Sequence, residues 1–508
     1  MLNHQVDPVT LGLLANLPAW RQRAIERIEL SSALWSKRER EIHVKSLDTT
    51  IGKIQELQGF LDGQPEGDLA TIILPITELS YVPLLDLHIT VAGESVYRVP
   101  LDEGARIQAY HIKRLASNVK ESLSPKSRRK VKKGLDVDEE LLDLLTSIFY
   151  FPTLQYERIW KECRQLTWHP NSWLHWTNPT KVHLETIFGD LHEKKRLFEL
   201  ASDIRKCTKG YSMPDPFNAA QNPLIALPRL KEEVNDLSEA DCIGRLEKLN
   251  QLLSCVVEQR NGPAHSACKK LLSTYTAYGY RWMAFAKCSV PVSRPFIITV
   301  AERRSVYFGS RWSSRYKNGP VVPVTKHLSS TVWKQISFHD AETNHVSIRL
   351  SDTAVRLRGK CEPLDETGNR VNTNADIESQ TFELYLRHDS SEGRPERMWI
   401  KSHLRLNRLV SLFFYLAMTV TAIATGLLIW RGLFETKGTS DTRGLTAKDM
   451  SVILLPAAFV ASFLLVKESS TLSMRLRRLK QGFVTIELFA LLLVAFGLYF
   501  FHQVLATP

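Results

Sequence analysis

Motifs that would announce a chemistry are missing from this chain. It holds no G-x-x-x-x-G-K-[ST], no G-x-G-x-x-G, no H-E-x-x-H and no G-x-S-x-G. Phosphate cradles, dinucleotide folds, zinc-binding helices and nucleophile elbows need those residues at those spacings. Nothing therefore points to an ATPase, dehydrogenase, metalloprotease or hydrolase. Cysteine is scarce: seven in 508 residues, with no C-x-x-C pair. A disulfide framework is denser and more regular, so reduced thiols are expected. No N-x-[ST] acceptor occurs, since Asn178 is followed by Pro179. No secretion signal opens the chain either. Val9 to Leu17 is apolar but short, follows Asp7 and lacks a basic flank. The N-terminal body is accordingly expected in the cytoplasm.

What the chain does have is three apolar runs in its last hundred residues. Leu409 to Trp430 is 22 residues without a charge, and Met450 to Val466 is 17 without one. Gly482 to Phe501 is 20 residues with one, Glu487. About 20 apolar residues cross the hydrocarbon core as a helix. A C-terminal three-helix transmembrane domain is expected over 405–508, with spans at about 409–430, 450–466 and 482–501.

Basic residues set the expected orientation. Lys401, Arg405 and Arg408 precede the first run. Lys467, Arg475, Arg477, Arg478 and Lys480 lie between the second and third. The loop between the first and second holds only Arg431, Lys437, Arg443 and Lys448. Cytoplasmic loops gather Lys and Arg. The body and the 467–481 loop are thus expected inside, and the C-terminus outside. Leu472, Leu476 and Leu479 recur at helical spacing among those cations. That pattern suits either a short helix lying on an anionic leaflet or a plain basic loop.

Before the membrane part, the pattern changes twice. Residues 1–101 alternate like strands, notably Leu85 to Val91 and Ser95 to Leu101 around Ala92-Gly93. Residues 102–290 read as helices. Asp136 to Tyr150 opens on acids, which suit a helix N-terminus, and Leu237 to Gln259 carries leucines at helical spacing. Gln221 to Leu230 holds two prolines and reads as a connector. Residues 291–404 hold many short strand-like runs between turns. The expected fold is α+β and multidomain: a β-sandwich-like N-terminal domain, a helical middle domain, a second β-sandwich-like domain and the membrane helices.

Few residues invite a chemical reading. The basic run Lys126, Arg128, Arg129, Lys130, Lys132 and Lys133 suits a solvated loop first, then anionic lipid or a partner, then nucleic acid. No aromatic residue interleaves it, so base stacking is not suggested and nucleic acid is not the expected partner. Trp168 to Trp176, with Cys163 and His183, is spaced too widely for a usual zinc site. His265 and Cys268 are sequence neighbours, which catalytic pairs seldom are. Glu487 is the single acid well inside an apolar run, and such residues are functional suspects. No catalytic residue, cofactor or metal ligand is assigned.

Three segments carry a resemblance: RIELSSALWSKREREIHVKS, ILPITELSYVPLLDLHITVAGESVYRVPL and LLPAAFVASFLLVKESSTLSMRLRRL. They resemble a group of uncharacterised actinobacterial multi-pass membrane proteins. That group often has a turn richer in Pro and Gly where this chain has Lys467-Glu-Ser-Ser. The resemblance implies the architecture and a bacterial inner-membrane location, but no activity. The expectation is a membrane-anchored cytoplasmic interaction, sensor or scaffold protein. Its partners would be the lipid bilayer and other proteins met through the body. An oligomeric transport component built around Glu487 is the second reading. An enzyme with an unrecognised site in the helical domain is the third.

Overall fold

The computed structural model describes residues 6–62, 68–80, 84–125, 134–150, 194–208, 223–234, 237–278, 281–308, 330–337, 340–358, 361–364, 370, 375–378, 380–387, 397–434, 451, 455 and 470–506. The chain opens on α1 (Pro8–Ala15) and α2 (Leu17–Trp20). Asp7 caps α1, its carboxylate accepting from the Val9 amide at 3.0 Å. The apolar N-terminal run is thus a buried core helix, with Leu13, Leu17 and Trp20 almost fully enclosed.

Two hairpins follow. β1 (Arg21–Leu30) pairs with β2 (Trp35–Val44). After α3 (Gln55–Asp62) and β3 (Leu69–Ser80), β4 (Leu84–Val91) pairs with the two-residue β5 (Glu94–Ser95). The turn between β4 and β5 is Ala92-Gly93, with φ of 53° and 90°. Positive φ at both central residues is what a two-residue hairpin with matching twist demands.

The later strands are β6 (Arg281–Pro291), β7 (Phe296–Ser305), β8 (Tyr307–Phe308), β9 (Thr331–Ser337) and β10 (Thr343–Leu350). Then come β11 (Val355–Leu357), β12 (Glu362–Leu364), β13 (Ala375–Ile377), β14 (Thr381–Arg387) and β15 (Arg397–Leu406). They do not form a domain apart from the first hundred residues. The order β13-β14-β10-β1-β2-β7-β4-β5 makes one eight-stranded sheet from both ends of the body. β1 runs parallel to β10, and β2 pairs antiparallel with β7. The expected division into two separate β-domains therefore gives way to a shared sheet. The local reason is plain: β1 and β2 sit in the middle of the sheet, and β7 and β10 complete their outer edges.

One face of this sheet is covered, by two different layers. At one end, α1, α3 and the β3–β6 ribbon enclose Ala24, Ile42, Val44, Ile298 and Val300. At the other, the five-stranded sheet β11-β15-β9-β8, with β12 also on β15, encloses Ile28, Ile348, Phe382 and Leu384. The other face of the large sheet has no layer over it among the described residues. There β1 and β2 turn Arg23, Arg27 and Lys37 out to solvent.

The helices of the middle region form their own apolar core. They are α4 (Leu101–Ser122), α5 (Glu139–Tyr150), α6 (Lys194–Cys207), α7 (Leu227–Glu233), α8 (Glu239–Gln259) and α9 (His265–Tyr278). Leu141, Leu142, Leu144 and Leu145 are buried, as the spacing implies. α8 starts on a capping box between Ser238 and Asp241. The presumed connector at 221–230 is instead a 3-10 turn leading into α7, with Leu224, Leu227 and Leu230 fully buried. Pro228 sits in the first turn of α7, where the missing N–H costs nothing.

Two C-terminal helices leave the body. β15 passes through Asn407 into α10 (Arg408–Phe434), and α11 spans Thr471–Ala506. Segments Arg408–Trp430 and Lys480–Leu498 are each long and apolar enough to cross a membrane. Only 28% and 17% of their most apolar windows is buried, unlike a core helix of a soluble protein. The third expected span, 450–466, falls outside the described residues apart from Ser451 and Leu455.

Of the two readings of the basic segment before the third span, a helix is what stands from Thr471 onward. It is the first turns of α11. Ser470 caps it, its hydroxyl accepting from the Ser473 amide at 3.1 Å. Leu472 is fully buried in the core of the five-stranded sheet, and Leu476 packs beside it. Leu472 and Leu476 of the leucine stripe therefore face the body. At about 1.5 Å per residue the 36 residues of α11 form a rod of about 54 Å.

Candidate functional site

Alternation along the strands decides what the large sheet hides. In β2, Arg38 and Arg40 share the face of Ile42 and Val44, while Lys37 and Glu39 point to the other. Glu26 on β1 lies opposite Arg40, and Glu302 on β7 lies opposite Arg38. These charges are buried, in a seam between the two apolar halves of the covered face.

The seam is closely paired. Arg38 donates to Glu26 through Nη2 at 2.8 Å, its Nε stands 2.7 Å from the other carboxylate oxygen, and it reaches Glu302 at 3.2 Å. Arg40 grips both oxygens of Asp340, at 2.7 and 2.6 Å. Arg21 reaches the same Asp340 at 3.2 Å and donates to the Ile76 carbonyl at 3.1 Å. Arg281 pairs with Glu78 at 2.7 Å across the β3–β6 ribbon. Arg304 pairs with Glu302 at 2.6 Å. Lys334 on β9 comes from the opposite sheet and donates to the Ser36 hydroxyl.

Burial sets the electrostatics here. It lowers Arg21 to about 10, with Asp340 opposing the drop. It also lowers Arg304 to about 10 against the pull of Glu302. Arg38 differs: burial works against its charge, yet Glu26 and Glu302 on either side hold it above the usual guanidinium value. Burial, then Arg304 and Arg38, push Lys334 down to about 7. Desolvation offsets much of the attraction within buried pairs of this kind, so their presence is weak evidence for added stability.

On the uncovered face, an open depression of about 540 Å³ lies across β2, β1, β10 and β14. Gln22, Arg23, His43, Glu342, Thr343, Tyr385 and Arg387 line it. Neighbouring strands bring them together: Arg23 is registered against Thr343 and His43, and Thr343 against Arg387. Glu342 is already paired with Lys45. Two guanidinium groups, an imidazole, a phenol and a hydroxyl thus face one solvent-open hollow. The arrangement can hold an acidic or polar group by hydrogen bonds. Directly behind it, Arg21, Arg40 and Asp340 stiffen the same strands.

The residues singled out from the sequence sit elsewhere. Lys126, Arg128, Arg129, Lys130, Lys132, Lys133 and Lys467 lie outside the described residues, as does the stretch from Cys163 to His183. Arg475, Arg477, Arg478 and Lys480 lie on the first turns of α11. The Arg475 guanidinium stacks 4.1 Å above the Phe308 ring, and the Lys480 ammonium stands 4.7 Å from the Tyr415 ring of α10. Glu487 lies half-buried on α11, near the residues that meet α10. His265 is exposed and Cys268 fully buried, so they form no nucleophile and base. Burial raises the Cys268 thiol to about 11. Among the described residues, no group of His, Cys, Asp and Glu is placed to hold a metal ion.

The sequence reading missed both the seam and the hollow. One signal was available for the seam. Lys334 falls between Val332 and Ile336 on the buried parity of β9, as Arg38 and Arg40 precede Ile42 on β2. No local signal marked the hollow, which exists only because β10 and β14 join β1.

The fold and its sites define an α+β body of two large sheets and a two-stranded ribbon, with a helical bundle and a pair of apolar C-terminal helices. Compared with protein-family models, curated proteins and solved structures, the chain matches none.

Proposed function

We propose that this protein is a membrane-anchored interaction protein, displaying the uncovered face of its large sheet to a partner. The observation that carries the anchor is the continuity of α11. One helix begins in the body's core at Leu472 and ends in an apolar segment with its large side chains exposed. Phe483, Ile486, Phe489, Leu492 and Phe496 are among them. Water would penalise that surface, and lipid tails would not.

The helix pair supports a three-span arrangement. Phe414 and Ala417 pack with Val484, and further along Ala424 and Leu428 pack with Leu491 and Ala495. The two helices therefore run parallel, away from the same body. A chain that connects two parallel spans has to return across the same thickness. The apolar run Met450 to Val466 would cover about 26 Å as a helix, near the ~30 Å of a hydrocarbon core. With the basic bias, this reading puts the body in the cytoplasm and the C-terminus outside.

The binding surface is the hollow lined by Arg23, His43, Thr343, Tyr385 and Arg387. A photo-crosslinking amino acid at Tyr385 should capture a discrete partner in membranes of the native host. The same group at Tyr97, beyond the opposite edge of the sheet, should not. Equal labelling at both sites would remove the sheet face as the docking surface. Release of the protein by alkaline carbonate would remove the anchor.

A further inference from the structure

We infer that the basic collar where α10 and α11 leave the body is a binding site for anionic phospholipid headgroups. The inference rests on the membrane reading and adds the lipid class. Arg475, Arg477, Arg478 and Lys480 rise through about 7.5 Å along α11. That is close to the thickness of one headgroup layer, about 5–7.5 Å on each side of the hydrocarbon. Parallel packing puts Arg408, the first residue of α10, on the same level as this band. Arg405 on β15, exposed just below, extends it.

The level is pinned from both sides. Arg475 stacks on Phe308 of the body, and Lys480 stands over Tyr415 and Phe414 of α10, at 4.7 and 5.9 Å. A Lys beside a Tyr is the residue pair that sits at headgroup height. Along α10 and α11 the single acid is Glu487, two turns beyond Lys480 on the apolar side. The charge of the two helices at the level of the collar is thus of one sign. Because α11 is one rod seated in the body's core, the cations keep their spacing instead of following a flexible loop. Phosphodiester oxygens carry the complementary charge at that height.

The test uses the full chain in nanodiscs of phosphatidylcholine alone, and of phosphatidylcholine with an equal amount of phosphatidylglycerol. The wild type should melt higher in the discs containing phosphatidylglycerol and should retain that lipid on delipidation. The variant Arg408→Gln/Arg478→Gln/Lys480→Gln should match the wild type in phosphatidylcholine, which shows that it folds. It should lose the preference, by about fivefold in lipid retention for each cation removed. Arg349→Gln, on the uncovered sheet face, should keep it. An unchanged preference in the triple variant would overturn the inference. So would equal melting of the wild type in both discs, or full stabilisation by inorganic phosphate in phosphatidylcholine discs. Failure to enter any disc would instead sink the membrane reading itself.

Discussion

Arg40 and Asp340 stand 300 residues apart in the chain and meet through two hydrogen bonds, at 2.7 and 2.6 Å. Arg21 shares the same carboxylate. One side chain from the second half of the protein therefore neutralises two arginines from its first forty residues.

Removing that carboxylate should be costly. Asp340→Ala would leave Arg21 and Arg40 buried without the carboxylate they share. Breaking a buried pair from one side costs about 3–5 kcal/mol. Trp20 is buried with the Arg21 guanidinium 4.5 Å from its ring, so its fluorescence offers a local probe. Urea unfolding of the detergent-solubilised chain should show that loss. A change below about 1 kcal/mol, the value of an exposed pair, would contradict the seam.

Lys334 gives a pH prediction. Its folded value is about 7, while an unfolded lysine titrates near 10.4. Between those values the unfolded chain holds a proton that the folded chain does not. Stability contributed by this group should therefore rise as pH increases from about 7 to about 10.4, by at most ~1.4 kcal/mol per pH unit. Below that window both states are protonated and the slope vanishes. Lys334→Met should abolish the slope and be more stable than wild type at neutral pH. Parallel pH profiles of the two proteins would refute the assignment.

The seat of α11 is a third target. Leu472 is fully buried against the five-stranded sheet. Leu472→Ala should cost about 2–5 kcal/mol, as large-to-small core changes do. Limited proteolysis should then cut near Ser470 faster than in wild type. Unchanged cleavage would mean that the helix is held by its other contacts alone.

The helix pair offers a fourth. Ala417 and Thr421 of α10 are buried within the helix pair, Ala417 against Val484 of α11. Small residues allow helices to approach closely in lipid. Ala417→Phe should force them apart and lower the melting temperature in detergent, an overpacking cost of about 1–3 kcal/mol. Ile423→Phe, at an exposed position of the same helix, should not. Equal effects at both sites would argue against the contact.

By itself, the sequence determined what local chemistry determines. Hydropathy located the apolar helices, because each span is a property of about 20 consecutive residues. The leucine spacing of α5 and α8 announced their buried faces, and alternation announced β7, β10 and β14. Only tertiary structure decided the rest. Alternation says which face of a strand is hidden but not which strand lies beside it. β1 and β2 therefore read as a domain of their own until β7 and β10 took their edges. Arg38, Arg40 and Lys334 look like ordinary surface charges until partners from distant strands supply carboxylates or a hydroxyl. The basic segment before the third span read equally as a short helix on a leaflet or as a plain basic loop, because leucines at helical spacing stand among cations that suit water. Leu472, two residues after the Ser470 cap, found a core to enter, and the segment became the foot of a helix. The hollow around Arg23 and Arg387 required register across four strands, and no window of neighbouring residues contains that information.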